Sequence, residues 1–170
     1  MRYALPVTLL VALAALIAIS PHVEPRRLRF RARQVTEDLR AKHGFRDGSK
    51  ASWLAARSTD CPPFHYGTRQ TLDSELSGML HGLPVRVAGY ELVTNGSRHR
   101  YGLAAVTLPR PLDLMEVRGE PTHLSWRTHE NELLLWKRDG WDSAAQLITS
   151  VRLVLNQLEP TGLNAAGEAY

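Results

Sequence analysis

The chain has 170 residues, 21 Lys+Arg against 17 Asp+Glu, a formal net charge of +4 and one cysteine, Cys61. A single cysteine excludes an intramolecular disulfide and a multi-cysteine zinc site. The charge is held unevenly: residues 1–33 carry six arginines and one glutamate, which leaves 15 Lys+Arg and 16 Asp+Glu for the rest. The folded part is therefore close to neutral, which argues against nucleic acid as a partner.

From Tyr3 to Val23 there is no Asp, Glu, Lys or Arg, and the centre of the run is Ala4 to Ile19. About 18 apolar residues suffice to cross a bilayer as a helix, and backbone in lipid must satisfy itself, so the run is expected to be helical. Pro6 falls in the first turn, where its missing N–H costs nothing. Arg26, Arg27, Arg29, Arg31 and Arg33 follow the run and only Arg2 precedes it. Positive charge flanking a span is retained in the cytoplasm. The sequence thus predicts a cell-membrane anchor over 1–23 with the C-terminal domain cytoplasmic. The same five arginines are the predicted membrane-surface residues, through attraction to anionic lipid headgroups. A cleaved signal peptide is the alternative; it would release a secreted domain.

Residues 24–57 read as a basic juxtamembrane arm and stalk helices. Arg26 to His43 has few breakers and a thin stripe of Phe30, Ala32, Val35 and Leu39, and Gly44 is placed as a C-terminal glycine. Phe45 can fold back onto this helix. Ser49 can cap a short helix through Trp53, Leu54 and Ala56. Residues 58–67 read as a loop. Cys61 and His65 within it form no recognised nucleophile-and-base signature, and Phe64 and Tyr66 are its expected anchors.

From Thr71 the period becomes two. Leu72, Leu76 and Leu80 alternate with Asp73, Glu75 and Ser77, which is a half-buried strand. His81-Gly82 and Asn95-Gly96 are hairpin turns. Between them Val85, Val87 and Val93 face one way, and Ala88, Tyr90 and Leu92 the other. Arg100 to Leu108 is apolar on both sides and so central. Pro109 and Pro111 are expected to close it. A strand over 112–117, a break at Gly119-Glu120-Pro121, a strand over 123–129, a turn at Glu130-Asn131 and a strand over 132–138 follow. Asp142 or Ser143 caps a last helix with Ala144, Leu147, Ile148, Val151, Val154, Leu155 and Leu158 on one face. Pro160 stops it, and 161–170 is a polar tail without expected structure.

The fold class expected over 58–160 is α+β: an antiparallel sheet of about six strands covered by the C-terminal amphipathic helix. A small open barrel of pleckstrin-homology type fits the same element order, and that comparison carries no function.

Several landmarks resemble a group of actinobacterial single-pass membrane proteins of unknown function. They are His43-Gly44-Phe45, Pro63-Phe64 with Gly67, Leu76-Ser77-Gly78 with Gly82, Pro84-Val85 and Tyr90, then Leu108-Pro109-Arg110-Pro111-Leu112. Leu124-Ser125-Trp126-Arg127 and Glu132-Leu133-Leu134-Leu135-Trp136 complete the set. Longer members carry an extra segment where this chain has only Met115 to His123. The resemblance implies membrane anchoring and no activity.

Motifs for catalysis are missing from the sequence: there is no phosphate loop, no dinucleotide fingerprint, no nucleophile elbow and no zinc helix. His123 and His129, with His99 as a third candidate, are the best metal ligands, but the first two lie about 20 Å apart on one strand face and cannot hold one ion unless the strand bends sharply. Trp53, Trp126, Trp136 and Trp141 read as core and rim aromatics. The expected function is a membrane-tethered cytoplasmic interaction domain, not an enzyme and without cofactor. Its partners are the membrane, with anionic lipid headgroups, or a protein. An enzyme with an unrecognised site is the remaining alternative.

Overall fold

A computed structural model describes residues 27–48, 69–113, 115–117 and 124–158. Residues 27–43 are helical (α1). The strands are β1 (Arg46–Asp47), β2 (Arg69–Leu80), β3 (Leu83–Thr94), β4 (Ser97–Leu112), β5 (Glu116–Val117) and β6 (Leu124–Arg138), and α2 is Ala144–Leu158. All pairings are antiparallel, in the order β1-β2-β3-β4-β6-β5. The expected α+β class with a six-stranded antiparallel sheet is what the chain forms. The order is linear, with β1 and β5 at opposite ends.

The two hairpins follow from their turn residues. Leu80 pairs with Leu83 and Thr94 with Ser97, so each turn has two residues. His81 and Gly82 have φ of 50° and 75°, and Asn95 and Gly96 have φ of 50° and 76°. Two consecutive left-handed residues match the twist of the flanking strands, which is why Asn-Gly and X-Gly sit there. Gly82 has open space where a Cβ would stand, so Gly82→Val tests conformation alone. A β-branched residue resists positive φ, and we expect a loss of about 1–3 kcal/mol. An unchanged melting temperature would show that the turn does not constrain the domain.

Alternation then sorts the strands into two faces. Val85, Val87, Ala104, Val106, Leu133 and Leu135 join one buried cluster with Val35 and Leu39 of α1 and Ala144, Leu147, Val151, Val154 and Leu158 of α2. Both helices therefore cover the same sheet face. The opposite face carries Ala88, Tyr90, Leu92, Leu103, Ala105, Leu134 and Trp136. There Tyr90 stacks obliquely on its register partner Tyr101, centroids 6.3 Å apart. Burial pushes the Tyr90 hydroxyl up to about 12.

The structure departs from the sequence reading at several places. The β2 register shifts between Leu72 and Glu75. This bulge flips the alternation, so Leu72 packs with the Tyr90 cluster while Leu76 and Leu80 join the helix-covered core. Pro109 and Pro111 do not close β4: the strand runs to Leu112, and Leu108–Pro111 bulge out where only Asn131 stands across from them. Prolines are tolerated inside a sheet at such bulges, where no ladder donor is needed.

Glu130-Asn131 is not a turn. β6 passes through it as one strand, with Glu130 at φ 53° taking up the bend, because both halves pair along the β4–β5 line. The strand expected over 112–117 shrinks to the end of β4 and the two residues of β5. Thr128 secures it: its N–H donates to the Met115 carbonyl at 2.8 Å and its hydroxyl to the Asp113 carbonyl at 2.6 Å.

A further departure is α1, read as a stalk helix. Val35 and Leu39 are buried, whereas Phe30, placed in the same stripe, is 62% exposed. Gly44, at φ 68°, ends the helix as expected. The Phe45 N–H then donates to the Leu39 carbonyl at 3.2 Å. The Phe45 ring lies on Gly78, where a Cβ would come within 2.6 Å of it. β1, which the sequence did not announce, follows at once and pairs with Leu76 and Ser77.

α2 begins where expected. The Ser143 hydroxyl accepts from the Gln146 N–H at 3.1 Å, and the Gln146 side chain accepts from the Asp142 N–H at 2.8 Å. These reciprocal bonds satisfy donors that the helix start leaves open.

Among the described residues no helix is long and apolar enough to cross a membrane. The Tyr3–Val23 anchor, Arg26, the Ser49–Ala56 helix, the Cys61–His65 loop, Trp53, His123 and the 161–170 tail lie outside those residues.

Candidate functional site

The helix-covered face changes character along the strands. Val87 pairs with Ala104, Gly89 with Gly102, and Glu91 with Arg100. An apolar layer thus gives way to a layer without side chains and then to a charged one. Gly102 has a reason to be glycine: a Cβ there would stand 2.6 Å from Trp141 Cδ1 and Nε1 and 3.1 Å from the Gly140 Cα. Gly89 faces the β2 bulge, with Asp73 Cβ at 3.2 Å from its would-be Cβ.

The charged layer is cross-linked. Arg100 Nε donates to Glu91 Oε2 at 3.1 Å and its Nη2 stands 3.6 Å from Asp73 Oδ2. Arg98 Nη1 lies 3.6 Å from Glu91 Oε1. Arg100 and Glu91 are both about four-fifths buried, where a hydrogen-bonded pair is worth more than an exposed one.

Over these layers passes the N-terminal half of α1, leaving a cleft of about 1040 Å³. Leu28, Arg29, Ala32, Arg33 and Thr36 line it from the helix, and Gly89, Gly102, Trp141, Glu91 and Arg100 from the sheet side. Trp141 is buried, and its Nε1 has no hydrogen-bond partner.

The arginines predicted to bind a membrane surface are thereby divided. Arg29 and Arg33 line the cleft. Arg27 is exposed and outside it. Arg31 is on the other flank, with Nη1 3.0 Å from Asp142 Oδ1. Asp142 also accepts from Lys137 Nζ at 2.9 Å. That hydrogen bond, with the nearby Lys137 and Arg31 charges, holds its carboxyl below the usual range. The linkage ties α1 to the start of α2.

A second charged group lies on the opposite face. Arg86 Nη2 is 3.8 Å from Glu132 Oε1, and Glu75, 4% exposed, pairs with Ala88, two residues along β3 from Arg86. Glu75 Oε2 has no hydrogen-bond partner. Burial raises the Glu75 pKa above 4.5, against the opposing pull of Arg86. The folded state therefore favours protonated Glu75. Its contribution to stability is complete below pH 4.5 and is lost as pH rises through the raised value. Glu75→Gln keeps the shape and removes the ionisation. We expect it to be more stable than the parent at pH 7 and to show a flatter stability profile above pH 4.5. A parallel, unshifted profile in urea titrations at several pH values would overturn this account.

His99 contacts Arg138 at 3.4 Å and His129 is exposed. No group of metal-binding side chains occurs among the described residues. Trp126, Trp136 and Trp141 are buried, as expected of core aromatics. The chain matches no family model, no curated protein and no solved structure.

Proposed function

We propose that this chain is a membrane-tethered interaction domain of the cell membrane. A helix over Tyr3–Val23 anchors it, the folded part lies in the cytoplasm, and it binds anionic lipid headgroups or a protein without catalysis. On this reading it is one of the actinobacterial single-pass proteins whose landmarks it resembles. The observation that carries the reading is the union of α1 with the sheet. Val35 and Leu39 are buried in the sheet's own core, so the arginine-bearing helix that follows the apolar run is a fixed part of the domain. Arginines within about 15–20 residues of a span set its orientation, and each one close to an anionic surface contributes about 1 kcal/mol of attraction.

The test is topology. A reporter that works only in the cytoplasm, fused after Tyr170, is expected to be active in intact cells. Activity from a reporter that requires export, fused at the same place, would overturn the orientation.

A further inference from the structure

The cleft under the first turns of α1 combines four observations. Arg29 and Arg33 are neighbours one helical turn apart, about 6 Å between Cβ atoms, and both line the cleft. Neither has a hydrogen-bond or carboxylate partner among the described residues. Glu37, one turn past Arg33, makes no ion pair there either, and Asp73 and Glu91 are engaged with Arg98 and Arg100. Like charges at this spacing repel, so the pair presents positive charge without a direct ion pair to a cleft that Glu37 and Asp139 also line.

The second observation is a stretch of α1 that the sheet leaves uncovered. Ala32 lines the cleft beside Arg33 and is exposed, and Gly89 and Gly102 line it from the sheet without side chains of their own. The third is Trp141. Its indole edge lies over Gly102, and its N–H is buried with no acceptor. A buried donor without an acceptor is uncommon in folded proteins, and indole N–H can only donate. The fourth is size: about 1040 Å³ is the upper end of small-molecule sites, about 300–1,000 Å³.

We propose that this cleft binds the headgroup region of an anionic phospholipid. Arg29 and Arg33 hold the phosphate, as planar guanidinium groups do. The Trp141 N–H donates to an ester or glycerol oxygen deeper in, and the apolar part rests on Leu28, Ala32 and Val87. The choice of a lipid as the phosphate source rests on the membrane-tethered reading above.

The experiment uses the full chain in nonionic detergent micelles, titrated with dihexanoyl phosphatidylglycerol, dihexanoyl phosphatidylcholine or inorganic phosphate. Affinity is read by calorimetry and by thermal shift. Phosphatidylglycerol is expected to bind saturably and at least tenfold more tightly than the other two. Arg29→Ala/Arg33→Ala should lose at least tenfold, and Ala32→Phe, which fills the cleft and keeps every charge, should lose as much. Trp141→Phe should weaken binding severalfold, and Arg27→Ala should bind as the parent does.

Equal losses for Arg27→Ala and Arg29→Ala/Arg33→Ala, with Ala32→Phe unaffected, would overturn the cleft and leave only general surface attraction. Inorganic phosphate binding as tightly as the lipid would overturn the lipid. If the arginine pair proves necessary for folding, the Ala32→Phe and phosphate arms still decide. Lipid binding together with an exported reporter after Tyr170 would instead sink the topology and keep the site.

Discussion

Leu147→Ala is expected to destabilise the domain by about 2–5 kcal/mol, the range for deleting a buried leucine side chain and leaving a cavity. Leu147 is 0% exposed, at the centre of the α2 face that packs on the sheet. It belongs to the same cluster as Val35, Leu133 and Leu135, so a cavity there is walled by strands and both helices and collapses poorly. A loss of this size lowers the melting temperature by about 10 °C in a domain of this length. Leu153→Ala on the same helix is the control. Leu153 is 56% exposed, and substitutions at such positions stay within about 0.5 kcal/mol. Equal urea midpoints for the two variants would show that α2 does not pack on the sheet through Leu147.

Gly102→Val is expected to cost about 3 kcal/mol, the upper end of the usual overpacking range. The new Cβ would stand 2.6 Å from the Trp141 ring and 3.1 Å from the Gly140 Cα. The ring is buried and the second neighbour is backbone, so neither can swing aside. Gly102 sits on central β4, paired with Gly89 on one side and Lys137 on the other, so a shift there propagates to three strands. The variant should also disturb the near-ultraviolet dichroism of Trp141. An unchanged unfolding midpoint and spectrum would refute the packing of Trp141 on Gly102.

Much of the architecture was legible because it rests on short-range physics. The two-residue turns at His81-Gly82 and Asn95-Gly96 need left-handed backbone, and their residues announce it. Val85 and Val87 against Ala88, Tyr90 and Leu92 is a period of two, and the structure keeps that division on the two sheet faces. The spacing of Ala144, Leu147, Val151, Val154 and Leu158 is the period of a helix with one buried face, and it correctly omitted Leu153. Ser143 marked the start of that helix by the same local logic.

What the sequence left open depends on partners distant in the chain. A polar pair such as Glu130-Asn131 reads as a turn until the facing strand is known. The ladder to β4 instead carries β6 straight through it, with the bulge across from Asn131 absorbing Pro109 and Pro111. The bulge at Asp73 likewise exists only relative to Gly89, and it alone sends Leu72 to the other face. For the candidate site, the charge of Arg26 to Arg33 was visible, but not its division. Which arginines face a cleft and which meets Asp142 follows from how α1 is rotated on the sheet. Val35 and Leu39 fix that rotation by burying themselves against residues more than 30 positions away, and side-chain burial between distant segments is decided only when the tertiary fold forms.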